Sequence, residues 1–409
     1  MTGNHDVVIL GAGAAGLMCA IAAGQRGCRV VVLDHAPKIG SKILISGGGR
    51  CNFTNLHIAP DRFLSQNRHF ATSALKRYTQ HDFLALVNRH GIAWHEKTLG
   101  QLFCDGSARQ IVAMLEAEAT AAGVDIRTSH TVTGISRSDR FEVTTSGGRF
   151  DAPALVLATG GPAIPKMGAT AFSHDVARQF GLRLVPPRPA LVPLTLSGSA
   201  LAFAANLSGV AVDATATFGR TQFRENILFT HRGVSGPAIL QISSYWREGG
   251  EIVLDLCPGL DLAAFLRERR KGRPKAELRT AIGELLPARL AAALAEGGPD
   301  GRALVPAGTM ANLSDKAIDA VAGALSAFRL TPAGSEGYAK AEVTLGGVDT
   351  ADLSSRTMEA KAVPGLHVIG EAVDVTGWLG GYNFQWAWSS GWCAGLAIAE
   401  QRRGRAVSA

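Results

Sequence analysis

A glycine-rich turn between two apolar runs constrains this chain more than any other feature. Val7 to Leu10 leads into Gly11-Ala12-Gly13-Ala14-Ala15-Gly16, a helix-compatible run follows to Ala23, and a second apolar run, Arg29 to Leu33, ends at Asp34. Each residue type has a physical reason. Gly11 permits the tight turn, Gly13 lets backbone approach a pyrophosphate, and Gly16 lets the helix pack on the sheet; Ala14 and Ala15 open the helix N-terminus on which phosphates sit. Asp34, about twenty residues past the glycines, is placed to accept hydrogen bonds from ribose hydroxyls and disfavours a 2′-phosphate. The pattern predicts an α/β, Rossmann-like dinucleotide-binding unit.

A chain of 409 residues exceeds one ordinary core, so two or three structural units are expected. Hydrophobic residues at 46% and charged residues at 18% describe a globular protein, and no apolar run approaches the ~20 residues of a membrane span. Met1 to Asp6 has no leader-like pattern, and the six scattered cysteines form no Cys-x-x-Cys pair. The sequence therefore predicts a cytoplasmic protein with no membrane association and no metal site. The net charge of +7 raises the question of an anionic partner. Its densest basic run, Arg267 to Lys275, alternates with acids in a helix-like segment, which reads as a solvated helix face. A small-molecule substrate and no nucleic-acid partner are expected, and the oligomeric state is left open.

Residues 1–189 read as α/β: helical at Asp61 to Arg89 and Ser107 to Ala122, then strand-like at Asp125 to Arg127, Thr131 to Ser136, Phe141 to Thr145 and Ala154 to Leu157. Composition shifts at Pro186 to Pro189. An insert over 190–340 follows, β-rich over 190–260 and helical over 261–335, with Asp261 to Glu296 and Ser314 to Phe328 as its helical stretches and Ser314 as an N-cap. Residues 341–409 return to the first domain, where Gly365 to Gly370 repeats the strand-into-glycine pattern before a C-terminal helix.

Three further segments carry chemistry. Leu155 to Leu157 ends in Ala158-Thr159-Gly160, flexible backbone at the carboxyl edge of the sheet, where α/β folds bind ligands. His367 to Ile369 ends in Gly370-Glu371, suited to the ribitol of FAD, and the paired Gly380 and Gly381 lead into Tyr382-Asn383-Phe384-Gln385, a helix N-terminus able to stabilise charge on a reduced flavin. Lys42-Ile43-Leu44-Ile45-Ser46-Gly47-Gly48-Gly49-Arg50-Cys51-Asn52 places three glycines and two cations just past the acid-bearing strand; backbone there is pressed against something flat or anionic.

The runs Lys42 to Asn55, Leu228 to Pro237 and Gly380 to Ala387 resemble the YhiN-like flavoproteins, the FAD-binding family grouped with aminoacetone oxidase and the dehydro-bile-acid reductases. The resemblance covers nearly the whole chain. It implies a FAD domain built from both chain ends, with an insert made of a β-barrel-like part and a helical part. It also implies that Val132 offers backbone to the adenine and that Gly370 and Glu371 approach the ribitol. One departure is Leu102-Phe103-Cys104-Asp105-Gly106, where members of the family often have Leu-Phe-Pro.

These readings point to a FAD-dependent oxidoreductase that passes a hydride through flavin N5 to or from a small organic substrate. No second Gly-x-Gly-x-x-Gly follows a strand, so NAD(P)H, if it is the donor, binds transiently. Cys51 and His231 are the candidate catalytic side chains. The alternatives are that Cys51 packs, that His231 is a structural histidine, that Trp378, Trp386 and Trp388 are core, and that the protein is a regulatory or RNA-linked flavoprotein.

Overall fold

The structure is a computed structural model that describes residues 5–408, with side chains to Gly404; most of the Met1 to Asp6 segment lies outside the described residues. The chain divides into two compact units, one made of residues up to Arg188 together with Val343 onward, the other of Pro189–Glu342.

The first unit is built on a five-stranded parallel sheet in the order Leu366–Val368, Leu155–Leu157, Val7–Leu10, Val30–Leu33, Asp125–Arg127. Val8 lies opposite Leu155 on one side and Val31 on the other. The three inner strands are uninterrupted apolar runs, and all of them are buried, as strands covered on both faces must be. Because the strands are parallel, the turns after Leu10, Leu33, Leu157 and Val368 gather at one edge.

Helix Ala14–Gly24 covers this sheet, and the C-terminal helix Tyr382–Ser408 packs on it. The contact depends on Gly391 and Gly395: a Cβ at the first would run into the Ala15 carbonyl oxygen, and one at the second into that of Cys19. Residues four apart share a helix face, so these two glycines let one backbone lie on the other.

Two small antiparallel sheets complete the unit. One is the meander Val132–Arg137, Phe141–Thr145, Gly148–Ala152; the other joins Asn52–Asn55, Gln101–Cys104 and Trp94–Glu96. The second was not expected, because its strands are short and carry polar residues. The single helical stretch expected from Asp61 to Arg89 is two helices, Phe70–Arg77 and Gln80–Arg89. Tyr78 is extended between them, and Thr79 and Asp82 cap the second helix reciprocally, the S/T-x-x-acid pattern that restarts a helix.

The second unit holds a seven-stranded antiparallel sheet in the order Phe328–Leu330, Ile252–Asp255, Ala211–Phe218, Thr221–Thr230, Gly233–Ser235, Leu194–Thr195, Gly334–Ser335. Its helices are short. The stretch Asp261 to Glu296 breaks into Leu262–Gly272, Leu278–Ile282 and Ala288–Glu296, because Pro274 and Pro287 can donate no helical hydrogen bond. Ser314 caps Asp315–Ser326 by accepting from Ala317 N at 3.1 Å. The basic run is paired within its own unit: Arg267 with Asp319, Arg269 and Arg273 with Glu284, Arg270 with Asp315. Among the described residues no helix is long and apolar enough to cross a membrane.

Overpacking of a tight backbone contact costs about 1–3 kcal/mol or more. Gly395→Leu should therefore lower the melting temperature by several degrees in a thermal melt, and an unchanged melt would show that the two helices do not depend on backbone contact.

Candidate cofactor and active site

At the carboxyl edge of the parallel sheet the glycines interlock. Gly11 has φ +106°, and a Cβ there would lie 2.6 Å from the Ala158 carbonyl oxygen. A Cβ on Gly16 would overlap the Gly11 carbonyl oxygen and lie 3.3 Å from Ala158 Cβ. Gly13 is different: a Cβ there meets nothing within 4 Å. As the N-cap of Ala14–Gly24 it supplies no side-chain hydrogen bond, so first-turn amides are left for an anion. Asp34 is fixed by accepting from Ala12 N at 2.7 Å and Ala36 N at 2.8 Å, and a carboxylate with two such bonds keeps lone pairs for further donors. The Asp34 carbonyl accepts from His130 N at 2.8 Å, which brings the half-buried Val132 to the same end of the sheet.

Gly370 sits at φ +63° with its carbonyl accepting from Trp386 Nε1 at 2.9 Å and its N–H donating to Ser390 Oγ at 3.0 Å. A Cβ on it would lie 2.8 Å from Ala15 Cβ. Glu371 accepts from Lys42 Nζ at 2.8 Å and from Thr344 N at 3.0 Å. Gly160 and Gly161 abut Glu371, and Thr159 Oγ1 lies 2.6 Å from Ser173 Oγ. Gly11 to Gly16, Ala158 to Gly160, Gly370, Glu371 and Lys42 therefore meet at one edge. Local sequence could not show the parts played by Thr344, Ser390 and Trp386, because their partners lie elsewhere in the chain. Beside them His174, 1% exposed, has both ring nitrogens without a hydrogen-bond partner, and Thr344 Oγ1 is likewise unpaired. Burial lowers the His174 pKa, partly opposed by the Ala372 backbone and Glu371, and keeps the ring neutral.

The triple-glycine loop follows the short helix Ser41–Ile45. Gly47, Gly48 and Gly49 have φ of 56°, 66° and 84°, left-handed values that favour glycine. Gly47 is pressed on the Phe103 ring, whereas Gly48 faces open space. Ser46 closes the loop, its carbonyl accepting from Cys51 N at 3.0 Å, and Arg50 is exposed.

Several candidates turn inward instead. Cys51 is fully buried, and burial pushes its thiol up to about 12, so it stays protonated and does not supply a reactive thiolate. Asn52 abuts the Gly381 backbone. Asn383 bonds the Gly377 backbone at 2.8 and 2.9 Å, and the buried Gln385 accepts from Thr54 Oγ1 at 2.7 Å while donating to Tyr78 O and Ser389 Oγ. Phe384 stacks on Trp388 with centroids 5.6 Å apart. Trp386 and Trp388 are core, and Trp378 is half-buried beneath the Arg62 guanidinium. His231 belongs to the second unit, exposed at the turn between Thr221–Thr230 and Gly233–Ser235.

The model of the HI0933-like protein Rossmann domain matches residues 5–397. The chain is 51% identical to the Ribosomal RNA dihydrouridine synthase of Escherichia coli (strain K12), over 97% of this chain and 98% of that protein. It is 45% identical to the Haemophilus influenzae protein of the same name, over 98% and 100%, and 31% identical to the 3-dehydro-bile acid delta(4,6)-reductase of Clostridium scindens, over 97% and 100%. The names of the first two overturn the expectation of a small-molecule substrate and no nucleic-acid partner. That expectation failed because charge was read from the densest basic run, whose arginines are paired in the insert. Lys and Arg in Pro189–Glu342 are matched almost one for one by Asp and Glu, so nearly all of the net +7 belongs to the first unit.

The family binds FAD, and the residues fit it: open space at Gly13, uncapped helix amides, a fixed Asp34 and unpaired buried polar atoms near Glu371. Gly13→Val should leave the melting temperature of the FAD-free protein nearly unchanged but abolish FAD retention, measured by bound flavin after gel filtration with added FAD; Gly16→Val should cost folding itself. A Gly13→Val protein with full flavin occupancy would contradict the assignment. Because His174 is held below its ordinary 6.5, the unfolded chain takes up its proton first as pH falls, so stability is lost below about 6.5. The acid-side drop in melting temperature should shrink in His174→Asn.

Proposed function

The chain belongs to the HI0933-like Rossmann family, and from that premise we propose that it is a FAD-dependent dihydrouridine synthase acting on ribosomal RNA. The observation that carries this is the end-to-end identity of 51% with a protein of that name, against 31% with the bile-acid reductase. The concentration of positive charge on the nucleotide-binding unit fits an RNA substrate.

When bound and reduced by NAD(P)H, FAD would supply the hydride for a uracil C5–C6 double bond, with the accompanying proton taken from water. The protein's own task is to bind and orient. Ala14, Ala15 and Gly16 would offer amides to the pyrophosphate, Asp34 would accept from the adenosine ribose, and Val132 would offer backbone to the adenine. Ala158 to Gly160, Gly370, Glu371 and Lys42 would line the ribitol side, and Ser46 to Arg50 with Gly381 would offer backbone to the ring system. Asn52, Asn383, Phe384 and Gln385 hold that backbone in shape rather than touching the cofactor. Lys42 neutralises Glu371, which in turn fixes Thr344.

NAD(P)H binds only transiently, and the protein works in the cytoplasm.

Ribosomal RNA from a strain lacking this gene should lack a dihydrouridine that plasmid-borne wild-type protein restores, as read by mass spectrometry of nuclease fragments. No missing dihydrouridine, together with tight FAD and no turnover, would favour a regulatory flavoprotein.

A further inference from the structure

Among the described residues the exposed large apolar side chains are Ile45, Leu99 and Leu260. Leu99, 55% exposed, is held in an unusual way. It lies at the tip of the hairpin between Trp94–Glu96 and Gln101–Cys104, and its φ is +51°. A branched apolar residue rarely adopts that conformation, which glycine or asparagine would take with less strain. A single exposed leucine needs no explanation; an exposed leucine in a strained backbone does.

The strain is imposed from outside the turn. Asn55, 1% exposed, donates through Nδ2 to the Leu99 carbonyl at 3.1 Å and to the Gly380 carbonyl at 2.9 Å. Gly100, at φ +77°, donates to Glu96 Oε1 at 3.1 Å and accepts from Leu56 N at 2.8 Å. Lys97 N donates to the Gln101 carbonyl, and Gln101 N to that of Thr98, both at 3.0 Å. The tip is thus rigid, and one buried asparagine ties it to the Gly380-Gly381 turn of the candidate flavin site.

Two exposed cations lie near it, with the Glu96 carboxylate turned in on the Gly100 N–H. The exposed Lys97 has its Nζ 5.5 Å from the Phe103 ring centroid. The same ring packs on Gly47 of the triple-glycine loop, whose Arg50 is exposed. Ile45, 44% exposed, ends the helix that enters that loop.

Resting on the RNA reading above, we propose that the Lys97–Gly100 tip is a wedge that opens folded RNA beside the flavin site, with Leu99 filling the space left by the extruded uridine and Lys97 on the flanking phosphate. An enzyme that does chemistry on a base must take it out of the stack, and apolar side chains such as leucine serve as inserted wedges. Rigidity matters here, because a flexible tip would yield before the stack did.

The test uses FAD-loaded full-length protein and two probes: an unmodified, folded ribosomal RNA transcript, and short unpaired oligoribonucleotides covering the same sequence. Leu99→Gly should lose about tenfold more dihydrouridine yield on the folded transcript than on the unpaired oligomers. Its melting temperature should hold or rise, since glycine accepts the left-handed φ. In filter binding, Lys97→Ala should reduce the salt slope by about one, whereas Arg270→Ala, which removes an ion-paired guanidinium of the insert, should not. Equal loss on both probes, or none on the folded one, overturns the wedge while leaving the RNA reading intact. A wild-type protein that forms no dihydrouridine on either probe overturns the RNA reading and the wedge with it.

Discussion

The nucleotide-binding unit depends on backbone touching backbone. At Gly11 and Gly16 the turn folds on itself and against Ala158 more closely than a larger side chain permits, and at Gly391 and Gly395 the C-terminal helix lies directly on the helix that starts at Ala14. These contacts set where the turn after Leu10 sits and how that helix points. Gly13, in the middle of the same turn, is left facing open space. A chain that spends glycines on close packing on either side of Gly13, and keeps Gly13 itself bare, reserves that gap for a ligand.

A second layer joins parts of the chain distant in sequence. Glu371 is bonded to Lys42 and to the Thr344 backbone, Gly370 to Trp386 and Ser390, and Asn55 to Leu99 and Gly380. The Lys42–Glu371 and Asn55–Gly380 bonds join an early segment to the C-terminal part, and the others hold turns against neighbouring elements within one part. These are partly or fully buried polar contacts, in which removal of one partner costs more than the bond itself gained. The edge is thereby organised before any cofactor arrives. His174 and Thr344 Oγ1, buried and unpaired next to Glu371, are the places where that organisation is incomplete.

The α/β class and the flavoprotein family were legible because their signals are local: four apolar residues, a glycine turn, a helix-compatible run and an acid at fixed spacing. The helix break at Tyr78 was also written in the chain, in Thr79 and Asp82, and the breaks near residue 274 and at residue 287 in two prolines. What local pattern could not show was pairing across distance. The sheet that joins Asn52–Asn55 to Gln101–Cys104 is made of strands of four residues each, too short to declare a period. Asn383 and Gln385 stand in a glycine-rich motif that suggests ligand contact, yet they bond to their own chain. Charge was misjudged for the same reason: a basic run is conspicuous in a sequence, whereas the acids that neutralise Arg267 and Arg270 come from residues 315 and 319, more than forty positions on. Once those pairs are taken out, the positive charge left over belongs to the unit that binds the nucleotide.

The most direct measurement is a single turnover without oxygen. The FAD-loaded protein would be bleached with just enough NADPH and then mixed with unmodified ribosomal RNA transcript while the flavin absorbance is followed. The account predicts that the yellow colour returns on mixing with the RNA, in step with dihydrouridine formed and with one flavin oxidised per base reduced. Flavin that stays bleached with RNA and recolours only in air, or with an enone such as a steroid dienone, would contradict it.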